Sequence, residues 1–412
     1  MAIDTSQKEL YAGFKGIKTE QVTEILSHRD FALFTRIELL AAALPTGLKE
    51  TAREHYRLLV QSEEEVHDAC KQSLDLMERL GLNESPIKAL DGMPVYSAGL
   101  QLKFKTAKPY LSKDDDAFFI HDNPVRKEKV FRIPYMPASG WKGCLRAADG
   151  AHFLEEIGKE INNIPGDQSG VENIDFSAIW NKRIRRVRIF GNENAVWKRH
   201  FNTAITNAIS RKFKRNAEDH PRFEQDRITD EFNDYLKQNG YMLDNVEGYG
   251  GHLHCFPTYF DRIGLEVINP HDRLRRVGTQ PIYFESVPSG TEGVFGFLYL
   301  FKSAGSGGAS VKTMPDTNIS LGHQLAEDLE ILGQATHDML LLSGFGAKTS
   351  SGFGTAENNL VEQGVLQLKM PYPEALENGT AESCLWQVPF NTIKDLRKGF
   401  SAMATSLRQG AV

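Results

Sequence analysis

The sequence predicts an α+β protein, and three observations predict it. Residues 1 to about 90 are dense in good helix formers, with apolar residues at helical spacing. Beyond them, several short segments alternate apolar and polar residues in the manner of half-buried strands. Long amphipathic patterns separate those strands, in the order strand, helix, several strands, helix, strand, which fits a sheet with its helices on one face.

The first segment, residues 1–90, contains DFALFTRIELLAAAL, free of Gly and Pro, and KETAREHYRLLVQSEEEVHDACKQSLDLMERLG, where Gly81 suits a helix stop. It reads as a small helical bundle for packing or assembly. Residues 91–370 read as the main domain. In VYSAGLQLKFKTAKPYL, Leu100, Leu102 and Phe104 fall on one strand face, with Lys103 and Lys105 on the other. A polar loop follows, then VFRIPYMP and the helical stretch ASGWKGCLRAADGAHFLEEIG. Residues of about 160–240 are polar and mostly helical in pattern, an insertion into the fold rather than its core. Strand character returns at HLHCFPTYF, IGLEVINP, PIYFESVP and GVFGFLYLF. The stretch SLGHQLAEDLEILGQATHDMLLLSG is an amphipathic helix, and GVLQLKM is a last strand. Residues 371–412 read as a tail, a Pro-rich connector and a short helix.

Composition narrows the function classes. The chain has 412 residues, 41% hydrophobic and 25% charged, enough for a sizeable core. No run approaches the ~20 apolar residues that span a bilayer. The N-terminus lacks the apolar stretch of a secretory signal, so a cytoplasmic location without membrane partners is expected. Cys70, Cys144, Cys255 and Cys384 form no CxxC pair, which argues for free thiols over a disulfide framework or zinc site. The net charge of −6 hides a strongly basic stretch, Lys182 to Arg215, with eleven Lys or Arg against one acid, Glu193. Local basic density matters more than the total for phosphate contacts. Arg183, Arg185 and Arg186 are its candidate RNA-binding residues, with core packing of the aromatics above a solvated basic face as the alternative. The two imidazoles of His252 and His254 read as packed or sugar-contacting groups rather than metal ligands.

Two motifs carry chemistry. In PYMPASGWKGCLR, Ser139 suits an N-cap, and the helix then opens on free backbone N–H groups that can receive a phosphate. Lys142 and Arg146, four apart, share one helix face. The alternative is an ordinary strand-to-helix turn with two solvated bases. In GFGAKTSSGFG, Gly344, Gly346 and Gly352 permit close backbone approach, and Lys348, Thr349 and Ser350 supply a charge and hydroxyls. This loop follows a helix, whereas a P-loop precedes one, and no strand-turn-helix GxGxxG occurs, so nucleotide-binding readings fail. A loop apposed to a phosphodiester backbone remains, beside the alternative of a tight helix-to-strand connector.

Together and in this order the two motifs resemble the repeat-associated mysterious protein (RAMP) superfamily. FIHDNPVRKEKVFRIPYMP resembles the loop that enters the first motif in backbone subunits of type III CRISPR effector complexes. VINPHDRLRRVGTQPIYFESVPSG resembles their thumb, where an acid precedes V-P-x-G. The resemblance covers roughly residues 95–365 and departs from the family pattern at Gly140 and Trp141.

That resemblance implies a ferredoxin-like, RRM-like fold and a subunit that grips CRISPR guide RNA by its backbone while bases pair with a complementary single-stranded target RNA. Other RAMP-type and small helical subunits are the implied partners, and Arg273 and Arg275 of the thumb-like region are implied RNA contacts. In some relatives a loop aspartate supports Mg²⁺-dependent target cleavage. The matching position is Asp122, which would act as catalytic group and metal ligand, with Asp114, Asp115, Asp116 and His121 as lesser candidates. Two alternatives stand beside it: a non-catalytic or capping RNA-binding subunit, and a metal-independent guide-processing endoribonuclease using histidine chemistry.

Overall fold

The computed structural model describes residues 32–41, 49–62, 64–83, 85–114, 120–164, 174–213, 221–241, 249–269, 271–272, 277–278, 281–301, 321–371 and 383–409. Among the described residues three helices come first, α1 (Leu33–Ala41), α2 (Lys49–Gln61) and α3 (Glu64–Arg79), then a single turn, α4 (Pro86–Ala89). The main domain opens with β1 (Ala98–Lys105), β2 (Tyr135–Met136) and the long helix α5 (Ala138–Asn163). Helices α6 (Ser177–Phe190), α7 (Ala195–Lys212) and α8 (Pro221–Gln238) follow. Next come the short strands β3 (Leu253–Cys255), β4 (Thr258–Tyr259), β5 (Gly264–Ile268), β6 (His271–Asp272), β7 (Val277–Gly278) and β8 (Ile282–Ser286), then β9 (Glu292–Tyr299). The chain ends with α9 (Leu321–Asp338), β10 (Asn359–Pro371), β11 (Ser383–Thr392) and α10 (Ile393–Arg408).

The main sheet is antiparallel, in the order β11-β10-β1-β9-β3. Set aside the edge strand β11, and β1-α5-β3-β9-α9-β10 is a βαββαβ unit of the ferredoxin-like kind. The alternation in β1 works as the sequence predicts. Leu100, Leu102 and Phe104 are buried, and Leu100 pairs with Phe297 and Leu366 across the two neighbouring strands. Lys103 and Lys105 face the other way and pair with Glu292, Lys103 at 3.0 Å and Lys105 at 3.8 Å. Helices α5, α9 and α10 join this face in one core, with Trp141, Leu145, Leu329, Leu332, Phe400 and Met403 all buried. No helix among the described residues is long and apolar enough to cross a membrane.

Two regions differ from the sequence reading. Residues 383–409 are no tail: β11 adds an edge strand to β10, and α10 packs on α9 so closely that a Cβ on Gly333 would lie 2.6 Å from that of Phe400. In the basic stretch the aromatics are core and Arg199 and Arg211 are exposed, but Arg183, Arg186 and Arg188 are buried. Helices α6, α7 and α8 close a second core over the far half of α5, built on Phe153, Ile157, Trp180, Ile184, Phe201 and Phe232. Arg183 lies inside it, fully buried, bonded to Glu193 at 2.9 and 2.6 Å and to Asn202 at 2.9 Å, with its guanidinium 3.9 Å from the Phe232 ring centre. Arg186 forks onto Asp149 with two 3.0 Å bonds. Arg188 forks onto Asp328, at 2.7 and 2.5 Å, and that carboxylate also receives the Tyr299 hydroxyl at 2.5 Å. Arg185 keeps partial exposure and pairs with Glu327 at 2.9 Å. Arg183 and Arg186 are therefore corrected from RNA contacts to interior ion pairs that bind the inserted helices to the rest of the fold.

The N-terminal helices share a core with the main domain instead of forming one alone. Tyr56, Val60, Val66 and Cys70 pack against Ile120, Ile133 and Ile263, carrying α2 onto the loop that precedes β2.

Candidate nucleic-acid interface

The two motifs, two hundred residues apart, meet at one point. Trp141, on the first turns of α5, is fully buried, and its ring centre lies 4.8 Å from that of Phe345 in the Gly-rich loop and 4.8 Å from Phe295 in β9. Its indole N–H donates to Thr258 Oγ1 at 2.9 Å. One turn on, the backbone of Gly346 hydrogen-bonds the Cys144 sulfur. The loop is thus seated directly on the N-terminal end of α5.

Details of the first motif depart from expectation. Pro137, with φ −70° and ψ 152°, is the N-cap, so Ser139 is an exposed residue of the first turn and caps nothing. The Pro-x-Ser spacing allowed either start. Lys142 Nζ donates to the Leu253 carbonyl at 2.8 Å. The Arg146 guanidinium donates to the carbonyls of Phe190 at 2.7 Å and Gly191 at 2.9 Å, and so caps the C-terminal end of α6. Both bases hold the fold together at the position where phosphate was expected.

The Gly-rich loop divides into a packed stem and an exposed tip. After a π-helical turn, Met339–Ser343, the chain needs the glycine-only conformation of Gly344, φ 77° and ψ 170°. Phe345 N–H bonds to Gly354 O at 2.7 Å, Gly354 N–H to Pro109 O at 2.8 Å, and Ala347 N–H to Leu111 O at 2.7 Å. A Cβ on Gly346 would stand 2.4 Å from the Leu111 carbonyl oxygen. The tip is different. Lys348 adopts the left-handed region at φ 57°, Thr349–Ser351 form a 3-10 turn, and a Cβ on Gly352 would meet open space. Lys348, Ser350 and Gly352 are exposed and Thr349 is half-buried. Lys348 Nζ sits 4.9 Å from the centre of the Phe284 ring. Glu285, the next residue of β8, donates its N–H to Asn123 O at 3.0 Å. The loop tip and the aspartate loop therefore flank the same strand.

Asp122 lies at the edge of that surface, its side chain 71% exposed. It accepts from Arg53 at 2.5 Å, and Lys49 Nζ lies 3.9 Å from the same oxygen. Asp114 accepts from the Lys127 N–H at 3.2 Å. Asp115, Asp116, Arg273 and Arg275 lie outside the described residues. Among those described, no three His, Cys, Asp or Glu side chains stand close enough to hold a metal ion. Asp122, hydrogen-bonded to Arg53 and paired with Lys49, is engaged by cations and belongs to no group of three such side chains among the described residues, which does not fit the Mg²⁺ site that the resemblance implies.

His121 is buried between the rings of Tyr56, 5.2 Å away, and Tyr283, 6.3 Å away. Burial, with Arg57 and Arg53 adding to it, pushes its pKa down to about 4. The unfolded chain thus binds a proton between pH ~6.5 and ~4 that the folded chain refuses. Stability is expected to fall as pH drops through that window, by up to about 1.4 kcal/mol per pH unit. Urea unfolding of wild type and His121→Phe at several pH values checks this, since the variant should lack that share of the slope.

The α2 residues that reach this surface carry no sequence signal. Behind the aspartate loop, the carboxylate of Glu285 is fully buried and receives the Tyr56 hydroxyl, the Lys127 ammonium and, at 3.1 Å, the Val125 N–H. Glu285 is the acid before V-P-x-G, and it ties α2 to the loop. Nothing in the spacing of residues 53 and 56 points to partners at 122 and 285.

A family model described as the RAMP superfamily matches residues 99–357. Among solved structures, one titled as the type III-B Cmr-beta complex bound to cognate target RNA has a chain 12% identical, with a TM-score of 0.36 over 84% of this chain and 96% of that one. The Csm3 crystal structure from Methanopyrus kandleri is 14% identical, with a TM-score of 0.37 over 76% and 97% of the two chains. The crystal structure of Cmr6 from Pyrococcus furiosus is 15% identical, with a TM-score of 0.26 over 63% and 97%. No curated protein sequence matches the chain.

Proposed function

The chain belongs to the RAMP superfamily, and from that premise we propose that it is a guide-RNA-binding subunit of a type III-like CRISPR ribonucleoprotein, gripping the RNA backbone without cutting it. The observation that carries this reading is the exposed tip Lys348–Gly352, held on a rigid stem beside β8 and the aspartate loop. A lysine, hydroxyls and unobstructed backbone suit phosphates and sugars and leave bases free for pairing. Complementary target RNA, other RAMP-type subunits and small helical subunits are the partners that go with this role.

Lys348→Ala combined with Ser350→Ala is expected to weaken binding of single-stranded RNA about tenfold, in all sequences alike. The slope of log affinity against log salt should fall by about 0.7 for each phosphate that the variant no longer neutralises. Anisotropy titrations across a salt series measure both, and an unchanged affinity contradicts the role of the loop.

The non-cutting half of the proposal rests on Arg53, hydrogen-bonded to Asp122, and Lys49, paired with it. With guide RNA, partner subunits, complementary target RNA and Mg²⁺ present, no cut opposite this subunit is expected, from wild type or from Asp122→Ala. A cut that Asp122→Ala abolishes overturns it in favour of metal-dependent target cleavage.

A further inference from the structure

Helix α2 turns a row of cations toward loop 120–123. Lys49, Arg53 and Arg57 are spaced four apart and share one helix face. Arg53 Nε donates to the Ile120 carbonyl at 3.0 Å, which fixes its side chain at 12% exposure with the rest of the guanidinium directed at Asp122. Lys49, 48% exposed, flanks the same carboxylate oxygen. Arg57 lies over the Tyr283 ring at 4.2 Å. Glu50, on the outer side, pairs with Arg53 at 3.2 Å and Arg57 at 3.7 Å. Two buried polar atoms in this neighbourhood, Arg57 Nε and His121 Nε2, have no hydrogen-bond partner among the described residues, and His121 is itself nine-tenths buried.

An exposed carboxylate held between an ammonium and a fixed guanidinium stands where a phosphate oxygen would stand. We infer that α2 carries a phosphodiester-binding site, formed by Lys49, Arg53 and Arg57, in which Asp122 sits as a phosphate mimic until the RNA backbone displaces it. None of the three cations lies within residues 99–357, so the site is an addition by the N-terminal helices to the shared fold. Displacement exchanges one anion for another on Arg53, and it leaves the Asp122 carboxylate, already mostly in water, to be solvated. The inference rests on the reading of this chain as an RNA binder.

It predicts effects of opposite sign from two residues that touch each other. The full-length chain is titrated with a fluorescein-labelled single-stranded RNA in EDTA, by anisotropy over a salt series. Asp122→Ala is expected to tighten binding about three- to tenfold, by removing the competing anion. Arg53→Ala should weaken binding by a similar factor and lower the salt slope by about 0.7. In the Arg53→Ala background, Asp122→Ala should have little further effect. Lys49→Ala, at a half-exposed position, should also weaken binding, and it keeps the test open if Arg53→Ala proves unstable by circular dichroism. Equal tightening by Asp122→Ala in both backgrounds would mean general charge repulsion and overturns the site. Unchanged or weaker binding by Asp122→Ala overturns it as well. Wild type that binds no RNA removes both this inference and the function beneath it, whereas wild type that binds RNA with any of the other contrary results removes the inference alone.

Discussion

The Arg183→Ala protein is expected to lose about 3–5 kcal/mol of stability, most of it in the inserted helices. Arg183 is fully buried, and its fork takes both oxygens of Glu193 and the side-chain oxygen of Asn202. Alanine removes the guanidinium and leaves the Glu193 carboxylate with its side chain only 7% exposed. An unpaired charge in such a place must be hydrated, protonated or expelled, and each route opens the core around it. The packing loss adds to this, because the guanidinium also lies over the Phe232 ring at 3.9 Å and near Trp180 and Phe201. The paired change Arg183→Met with Glu193→Gln removes the charge from both sides and should recover much of the loss, as apolar replacements of buried ion pairs often do. Urea unfolding followed by tryptophan fluorescence measures the difference, with Trp180 and Trp197 both lying in the affected core. A loss below about 1 kcal/mol would show that Glu193 is solvated and that the ion pair is only a surface contact.

This arginine also shows where sequence reasoning reached and where it stopped. Local patterns were legible. The alternation of Leu100, Leu102 and Phe104 and the period of α9 depend on neighbours within one element, and both held. Partnerships across the chain were not legible. Arg183, Arg186 and Arg188 find their acids at positions 193, 149 and 328, and no rule of spacing separates a buried fork from a solvated face. The C-terminal region was obscured for a different reason. β11 is an edge strand that includes Pro389, opposite Val365, and most of its side chains keep some exposure. An edge strand tolerates proline and needs little apolar alternation, so its sequence resembles a connector. For the candidate site, the Gly-rich loop was legible because backbone conformation at Gly344 and close approach at Gly346 leave a mark in residue type. The contribution of α2 left none, since an arginine that meets Asp122 looks like any other in an amphipathic helix.

Trp141→Ala is expected to cost about 3–5 kcal/mol and to weaken RNA binding, although Trp141 is itself inaccessible. The stability loss follows from volume. The indole fills the space between Phe104, Phe295 and Phe345, and its removal leaves a cavity under the Gly-rich loop that this rigid aromatic cluster closes only in part. The loss of binding follows from position. Phe345 is the first packed residue of the loop, and its backbone bond to Gly354 closes the stem that presents Lys348. A Phe345 ring that settles into the cavity drags the stem with it and spreads the tip over several arrangements, each competing with the one that fits a phosphodiester. Trp141→Phe separates the two effects. It keeps most of the volume, and it gives up the indole bond to Thr258, whose hydroxyl still donates to Val294 O at 2.5 Å, so the cost should be about 1 kcal/mol with affinity nearly unchanged. Unfolding midpoints and RNA titrations on the same three proteins give the answer. If Trp141→Ala loses stability and keeps full affinity for RNA, the loop holds its shape without α5, and the meeting of the two motifs is a matter of packing alone. If affinity falls with Ala and returns with Phe, the helix that opens the fold and the loop that follows its second helix act as one binding element.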